Sequence, residues 1–267
     1  MEKLIYVVMP GNRYAGLMSY FVQAISNLKL VDNTEHKMYF KYDHNMRYLD
    51  LTQGGNVWEY YFEQPFTLTQ NDIETHKILK DVWFDGGLIV PQYPSSEINN
   101  IAFNLIQKYV KLKPHITEKI NNFLNTYTNP SDKILSIHKR GTDHINDSPE
   151  TPLHVYFKAV DEIIDNYQKL LVCSDEQYSV DIFKQRYGSN RVISYDSIRA
   201  LEKTTIGIHQ SMGLLSPYKM GEDVIIETFL MSKTHKMIKT VSNVSNSALL
   251  LNPNIEYIQL DEYEKPT

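Results

Sequence analysis

The chain has 267 residues, a formal charge of −5, 42% hydrophobic and 22% charged residues, and 11 each of Gly and Pro. This usage is ordinary for globular proteins, excludes collagen-like and disordered classes, and suffices for one large domain or two of ordinary size. The negative balance offers no long-range attraction to nucleic acid or anionic lipid, and no basic patch supplies a local one, so no nucleic-acid partner is expected.

The first apolar run, Leu4 to Met9, is far shorter than the ~20 residues a membrane span needs. It lacks a small-residue cleavage site, so it reads as a strand, and no transmembrane segment is expected. After Pro10-Gly11-Asn12, residues Leu17, Phe21, Ala24, Ile25 and Leu28 fall at helical spacing, and Met38-Tyr39-Phe40 predicts a second strand. Asp43 to Gln64, rich in Tyr, Trp and Asn without clear periodicity, is expected to be irregular surface. Ile98, Ile101, Ala102, Leu105, Ile106 and Tyr109 share one helical face, and Ile116, Ile120, Phe123, Leu124 and Tyr127 repeat the pattern after Pro114. The polar turn formers of 125–132 mark the candidate linker, dividing residues 1–128 from 129–267.

The second half is more regular. Ile134-Leu135-Ser136-Ile137 predicts a buried strand, and Pro152 to Tyr167 a helix with Thr151 as N-cap and Pro152 in the first turn. Leu170 to Cys173 is the next strand. Asp175 can cap a helix reaching Tyr187, Gly188 suits its C-terminal stop, and Arg191 to Tyr195 forms another strand. A loop over 200–221 precedes a helix from Glu222 to His235, a strand from Met237 to Val241, a short helix beginning near Asn243, and a last strand at Ile255 to Ile258. Strands alternating with helices imply an α/β fold with a parallel sheet, in two units facing across a cleft. In such sheets a ligand sits beyond the carboxyl ends of the strands, where a helix N-terminus can meet a phosphate. Cys173 is the sole cysteine, which excludes an intrachain disulfide and a cysteine-built zinc site; a cytoplasmic setting is the simplest home.

The segment His138-Lys139-Arg140-Gly141-Thr142-Asp143-His144 places cations, a glycine and a carboxylate at a strand end. Arg140 can grip a phosphate through two parallel hydrogen bonds, or pair structurally with Asp143. A lone histidine such as His138 is equally at home as a packed strand-end residue. Ser242, Asn243 and Ser245 lie between a strand end and a helix start, where they can hold phosphate oxygens or act as a plain N-cap. No Walker A run, Gly-x-Gly-x-x-Gly, Gly-x-Ser-x-Gly or His-Glu-x-x-His arrangement occurs, which weighs against ATPase, dinucleotide dehydrogenase, hydrolase-elbow and zincin readings.

His138 to Asp143 resembles the His-x-Arg-Arg-x-Asp signature of α1,6-fucosyltransferases, the nodulation protein Z family, and the shorter His-x-Arg core of protein O-fucosyltransferases. Gly141 stands where the second arginine of the longer signature would be. Val172 to Glu176 looks like the family's strand-end acidic motif, and Gly221 to Ser232 with Thr240 to Ser245 looks like its third motif. The resemblance covers about half the chain, from Ile134 to Pro253. It implies a GT-B fold of two Rossmann-like domains: an acceptor-side domain over 1–128 and a nucleotide-sugar-binding domain over 129–267. It further implies inverting transfer, most simply of fucose from GDP-fucose to a glycan acceptor, with no metal and no other cofactor.

Carried over residue by residue, Arg140 resembles the arginine that neutralises the donor diphosphate, and His138 the histidine near base and ribose. Glu227 resembles the acidic residue that recognises the base, Asp175 belongs to the acidic motif, and Ser242, Asn243 and Ser245 would hold the donor. Inverting transfer needs a base for the acceptor hydroxyl; the candidates are Asp143, Asp147 and Glu150, with Asp147 preferred and Asp143 also suited to orienting Arg140. Two alternatives stand beside this reading. One keeps the fold with another donor, such as UDP-xylose. The other is a noncatalytic nucleotide- or carbohydrate-binding module, in which each of these carboxylates is a solvated loop residue.

Overall fold

A computed structural model describes residues 4–10, 15–43, 46–74, 77–80, 88, 90, 94–141, 151–201 and 216–260. Among them the strands are β1 (Ile5–Met9), β2 (Lys37–Phe40), β3 (Lys77–Lys80), β4 (Ile134–Lys139), β5 (Lys169–Ser174), β6 (Val192–Ile193), β7 (Lys236–Lys239) and β8 (Glu256–Gln259). The helices are α1 (Leu17–Leu28), α2 (Trp58–Tyr61), α3 (Gln70–Glu74), α4 (Ser96–Tyr109), α5 (Pro114–Tyr127), α6 (Leu153–Asp161), α7 (Gln177–Tyr187), α8 (Pro217–Met231) and α9 (Asn243–Leu251).

The strands form two sheets, ordered β2-β1-β3 and β6-β5-β4-β7-β8, and every pairing within them is parallel. The expected α/β architecture with parallel sheets is thus present. β4 is central and all six of its residues are buried, as a strand covered on both faces must be. Leu135, Ile137, Leu170 and Val172 pack against Val155, Val160, Val180 and Phe183 of α6 and α7. On the opposite face Ile134, Leu171, Cys173 and Met237 join a core that includes Ile225 and Leu230 of α8 and Leu249 of α9. That core continues without a break into the first half, because α9 packs on α1 and α4 while α8 packs on α5, α1 and α2.

Several boundaries differ from expectation. α6 ends at Asp161, and a separate 3-10 turn covers Ile164–Asn166; Pro152 is the N-cap, and no side chain caps the helix. β6 contracts to two residues. α8 begins five residues early at Pro217, where Ser216 Oγ accepts from the Lys219 N–H at 3.2 Å, and it ends at Met231. The largest correction concerns 43–64. Met46, Tyr48, Val57, Trp58, Tyr60, Tyr61 and Phe62 are buried there, so the segment contributes core rather than irregular surface. Trp58 stacks on Phe62 at 4.5 Å and meets Phe40 in a tilted contact at 4.3 Å, so the burial comes from aromatic packing across the fold rather than from a helical repeat.

Tyr61 ties the two halves together. Its ring stacks on Tyr218 at 5.5 Å and its hydroxyl donates to the Tyr218 carbonyl at 2.8 Å. A Cβ at Gly221 would fall 2.2 Å from that hydroxyl oxygen, so only glycine lets α8 approach Tyr61 this closely. Gly221→Ala is therefore expected to destabilise the fold by about 1–3 kcal/mol, read from the urea unfolding midpoint. Adding Tyr61→Phe should recover part of that loss by removing the atom closest to the new methyl group.

Candidate functional site

The carboxyl ends of β4, β5 and β7 share one level, because His138 lies opposite Cys173 on β5 and Lys239 on β7. Beyond them opens a cleft of about 230 Å³. Its second-half wall carries His138 and Arg140 from the end of β4, Asp175 from the end of β5, Glu227 from α8, and Ser242 and Asn243 from the start of α9. Its first-half wall carries Gly16 to Ser19, at the N-terminus of α1, and Tyr48. Six of the seven residues expected to hold a donor thus meet at one place. Ser245 does not line the cleft; it is fully buried, and its hydroxyl donates to the carbonyls of Thr240 and Ser242 at 3.2 Å each, fixing the β7–α9 turn. Asp143, Asp147 and Glu150 lie outside the described residues.

Local chemistry explains these placements. Ser242 is the N-cap of α9, its Oγ accepting from the Val244 N–H at 3.2 Å. Asp175 does not cap α7; Glu176 occupies the N-cap position, and no side chain caps that helix. Asp175 instead accepts from the Gly141 N–H at 2.9 Å, tying the end of β5 to the turn after β4. The Glu176 side chain turns under that turn, accepting from buried Lys139 at 2.8 Å and from Ser179 at 2.9 Å. A Cβ on Gly141 would fall 2.2 Å from Glu176 Cδ and 2.4 Å from Cγ. The missing second arginine therefore has a structural cause: Glu176 fills the space into which any side chain at 141 would project.

Three carboxylates line the cleft beside Arg140: Asp175, Asp223 and Glu227. Burial pushes the Glu227 carboxyl up to about 7, against the opposing pull of Arg199 and of the Ser197 hydroxyl. Ser197 donates to Glu227 Oε1 at 2.6 Å, and Arg199 stands 3.3 Å from the same oxygen. Asp223 is also raised by burial, though it accepts from Lys219 and from the Ile198 N–H. The Cys173 thiol is fully buried and pushed well up by that burial, so it is no nucleophile. Among the described residues no group of three or more His, Cys, Asp or Glu side chains could hold a metal ion, and no helix is long and apolar enough to cross a membrane. Sequence reasoning missed Ser197 and Arg199, which carry no motif, and gave Asp223 no role although it lies within the third motif; a buried arginine in a nonperiodic loop leaves no sequence signal.

No family model matches the chain, and no curated protein matches it. Solved structures do. The fucosyltransferase NodZ from Bradyrhizobium aligns over 100% of this chain and 98% of its own, with 14% identity and a TM-score of 0.62. NodZ α-1,6-fucosyltransferase soaked with GDP-fucose aligns over 94% of each chain at 13% identity and a TM-score of 0.58. POFUT1 in complex with GDP aligns over 97% of this chain and 99% of its own at 10% identity and a TM-score of 0.54. The fold is therefore the one these fucosyltransferase structures share, in keeping with the resemblance read from the sequence.

The Glu227 environment sets a pH dependence. Its carboxyl is raised in the folded chain from an ordinary 4.5 to about 7, so between these values the folded state binds the proton and the unfolded state has lost it. Its contribution to stability is therefore fully present below pH 4.5 and declines as pH rises to about 7, by up to ~3 kcal/mol in all. Urea midpoints at pH 5 and pH 8 should show this fall in the wild type, and Glu227→Gln should flatten most of it.

Proposed function

We propose that the protein is an inverting glycosyltransferase that moves fucose from GDP-fucose to a glycan acceptor, without a catalytic metal and in a cytoplasmic setting. The reading rests on one observation: Arg140, Asp175, Glu227, Ser242 and Asn243, from four separate segments, line a single cleft between two halves of this fold. The ligands named with the similar structures, GDP-fucose and GDP, support the choice of nucleotide.

In this reading Arg140 holds the diphosphate by its planar fork, and the N-terminus of α9 supplies partial positive charge to the remaining oxygens. Both stabilise the negative charge that grows on the leaving nucleotide as the glycosidic bond breaks. Glu227 and His138 face the nucleoside, and Ser242 and Asn243 flank the phosphates. The acceptor hydroxyl attacks the anomeric carbon from the face opposite the nucleotide, and a carboxylate takes its proton. We assign that role to Asp147, with Asp143 and Glu150 as the other candidates and Asp143 also orienting Arg140. The first half, with α1 and Tyr48, supplies the acceptor side.

A second reading follows from a specific feature. With Glu176 filling the space beside Gly141, the turn has no second arginine, so one contact to a GDP-fucose donor is missing and the same fold with another donor, such as UDP-xylose, is the alternative. Calorimetry with GDP, GDP-fucose, UDP and UDP-xylose, in the presence of a chelator, separates these readings. Selective GDP binding supports the fucosyl reading, selective UDP binding replaces the sugar, and binding without turnover on any acceptor indicates a noncatalytic module. Arg140→Ala should lower nucleotide affinity and turnover by about 100-fold, the order seen when a charge-stabilising donor is lost; near-normal turnover in that variant would remove Arg140 from the diphosphate.

A further inference from the structure

Arg199 belongs to none of the motifs, yet its side chain is only 5% exposed and its guanidinium reaches four groups. Nε donates to the Ser174 carbonyl at 3.1 Å and Nη1 to the Ser197 carbonyl at 3.4 Å. Nη2 donates to the Tyr195 carbonyl and, at 3.3 Å, to Glu227 Oε1. These partners belong to the end of β5, to the segment after β6, and to α8. The same segment is fastened at its rim: the Ala200 N–H donates to the Asp175 carbonyl at 2.8 Å, and the Gln177 N–H donates to the Ala200 carbonyl at 2.9 Å. The Ile198 N–H donates to Asp223 at 2.9 Å. Ser197 and Ile198 line the cleft, with Arg199 behind them.

We infer that Arg199 is a positioning residue of the nucleotide site, binding the end of β5, segment 195–200 and α8 into one rigid wall against which the nucleoside is held. This rests on the proposed function for the identity of the ligand, and on the hydrogen bonds alone for the wall. The alternative is that Arg199 serves only as counter-ion to buried Glu227. The two roles make different demands on the side chain. A counter-ion needs a positive charge near the carboxylate, which lysine supplies. A wall anchor needs donors aimed in several fixed directions, which a planar guanidinium has and a single ammonium lacks.

Arg199→Lys is therefore the decisive variant, examined by hydrogen exchange, GDP calorimetry and urea unfolding. Losing one or more charge-assisted bonds should speed amide exchange in 195–201 by about tenfold or more and weaken GDP binding by a similar factor, while β4, β5 and β7 keep their protection. The unfolding midpoint should fall by no more than the same tenfold factor in the folding equilibrium implies. Unchanged exchange in 195–201 would overturn the inference, as would faster exchange with wild-type GDP affinity. If Arg199→Lys does not fold, the double variant Arg199→Gln/Glu227→Gln removes both charges together and, measured against Glu227→Gln alone, should speed exchange in 195–201 and weaken GDP further; equality with Glu227→Gln in both would overturn the inference. A wild-type chain that binds no nucleotide sinks the proposed function; faster exchange would then leave Arg199 as anchor of a cleft with another ligand, and unchanged exchange would remove the wall as well.

Discussion

The parallel register of β4 with its two neighbours is the constraint on which the cleft depends. His138 sits level with Cys173 and Lys239, so the chain leaves the sheet in one row at Arg140, Asp175 and the turn before Ser242. No further device is needed to gather residues more than 100 positions apart; parallel strands deliver their carboxyl ends to the same edge. A slip of one residue in β4 would exchange the faces of His138 and Lys139. It would turn the lysine away from Glu176 and leave that carboxylate buried without its partner.

Charge is managed by the same economy of pairing. Buried Glu176 has Lys139 and Ser179, buried Glu222 has Lys119 at 2.6 Å and the Tyr218 hydroxyl at 3.1 Å, and buried Glu227 has Arg199 and Ser197. Leaving any one of them unpaired would cost several kcal/mol. The pairing also shapes what the cleft offers a ligand. Lys139, also in the lining, lies against Glu176 beneath the β4 turn, so among the described residues the positive potential in the cleft comes chiefly from Arg140 and from the N-termini of α1 and α9, which both open into it. Asp175, Asp223 and Glu227 set the opposing sign along another part of the cleft. A ligand with an anionic end and a donor-rich end matches that polarity.

The parts of this arrangement that were legible in the sequence are those with local causes. β4 and β5 read as buried strands because four consecutive apolar or small residues bounded by turn formers have few other uses, and Gly188 marked the end of α7 because its backbone takes φ +87°, a conformation that favours glycine. Arg140, Asp175 and Ser242 were legible because their place at strand ends follows from the alternation itself. What escaped depends on partners distant in sequence. Residues 43–64 show no periodicity because Tyr61 and Phe62 are buried by α8, near Tyr218 and Phe229, and not by a repeating face of their own. β3 carries Lys at both ends and is a strand only because β1 pairs with it. Asp175 looked like a helix cap, yet the Gly141 N–H across the sheet claims its carboxylate.

Gly141 shows how a single departure from a motif can be a property of a group of residues. Seen alone, it is a lost arginine. In the fold it is one member of a set: Glu176 needs the space above Gly141, Lys139 and Ser179 need the Glu176 carboxylate, and the Gly141 N–H holds Asp175 at the rim of the cleft. Placing a side chain at 141 would expel Glu176 from contact with a lysine that is itself buried, exchanging a steric clash for the loss of a buried ion pair. The turn after β4 is thus fixed by packing on the α7 side and by Asp175 on the cleft side, and Arg140 projects from a backbone that both of them hold. The position of that one guanidinium, rather than the number of cations in the turn, is what the surrounding structure specifies.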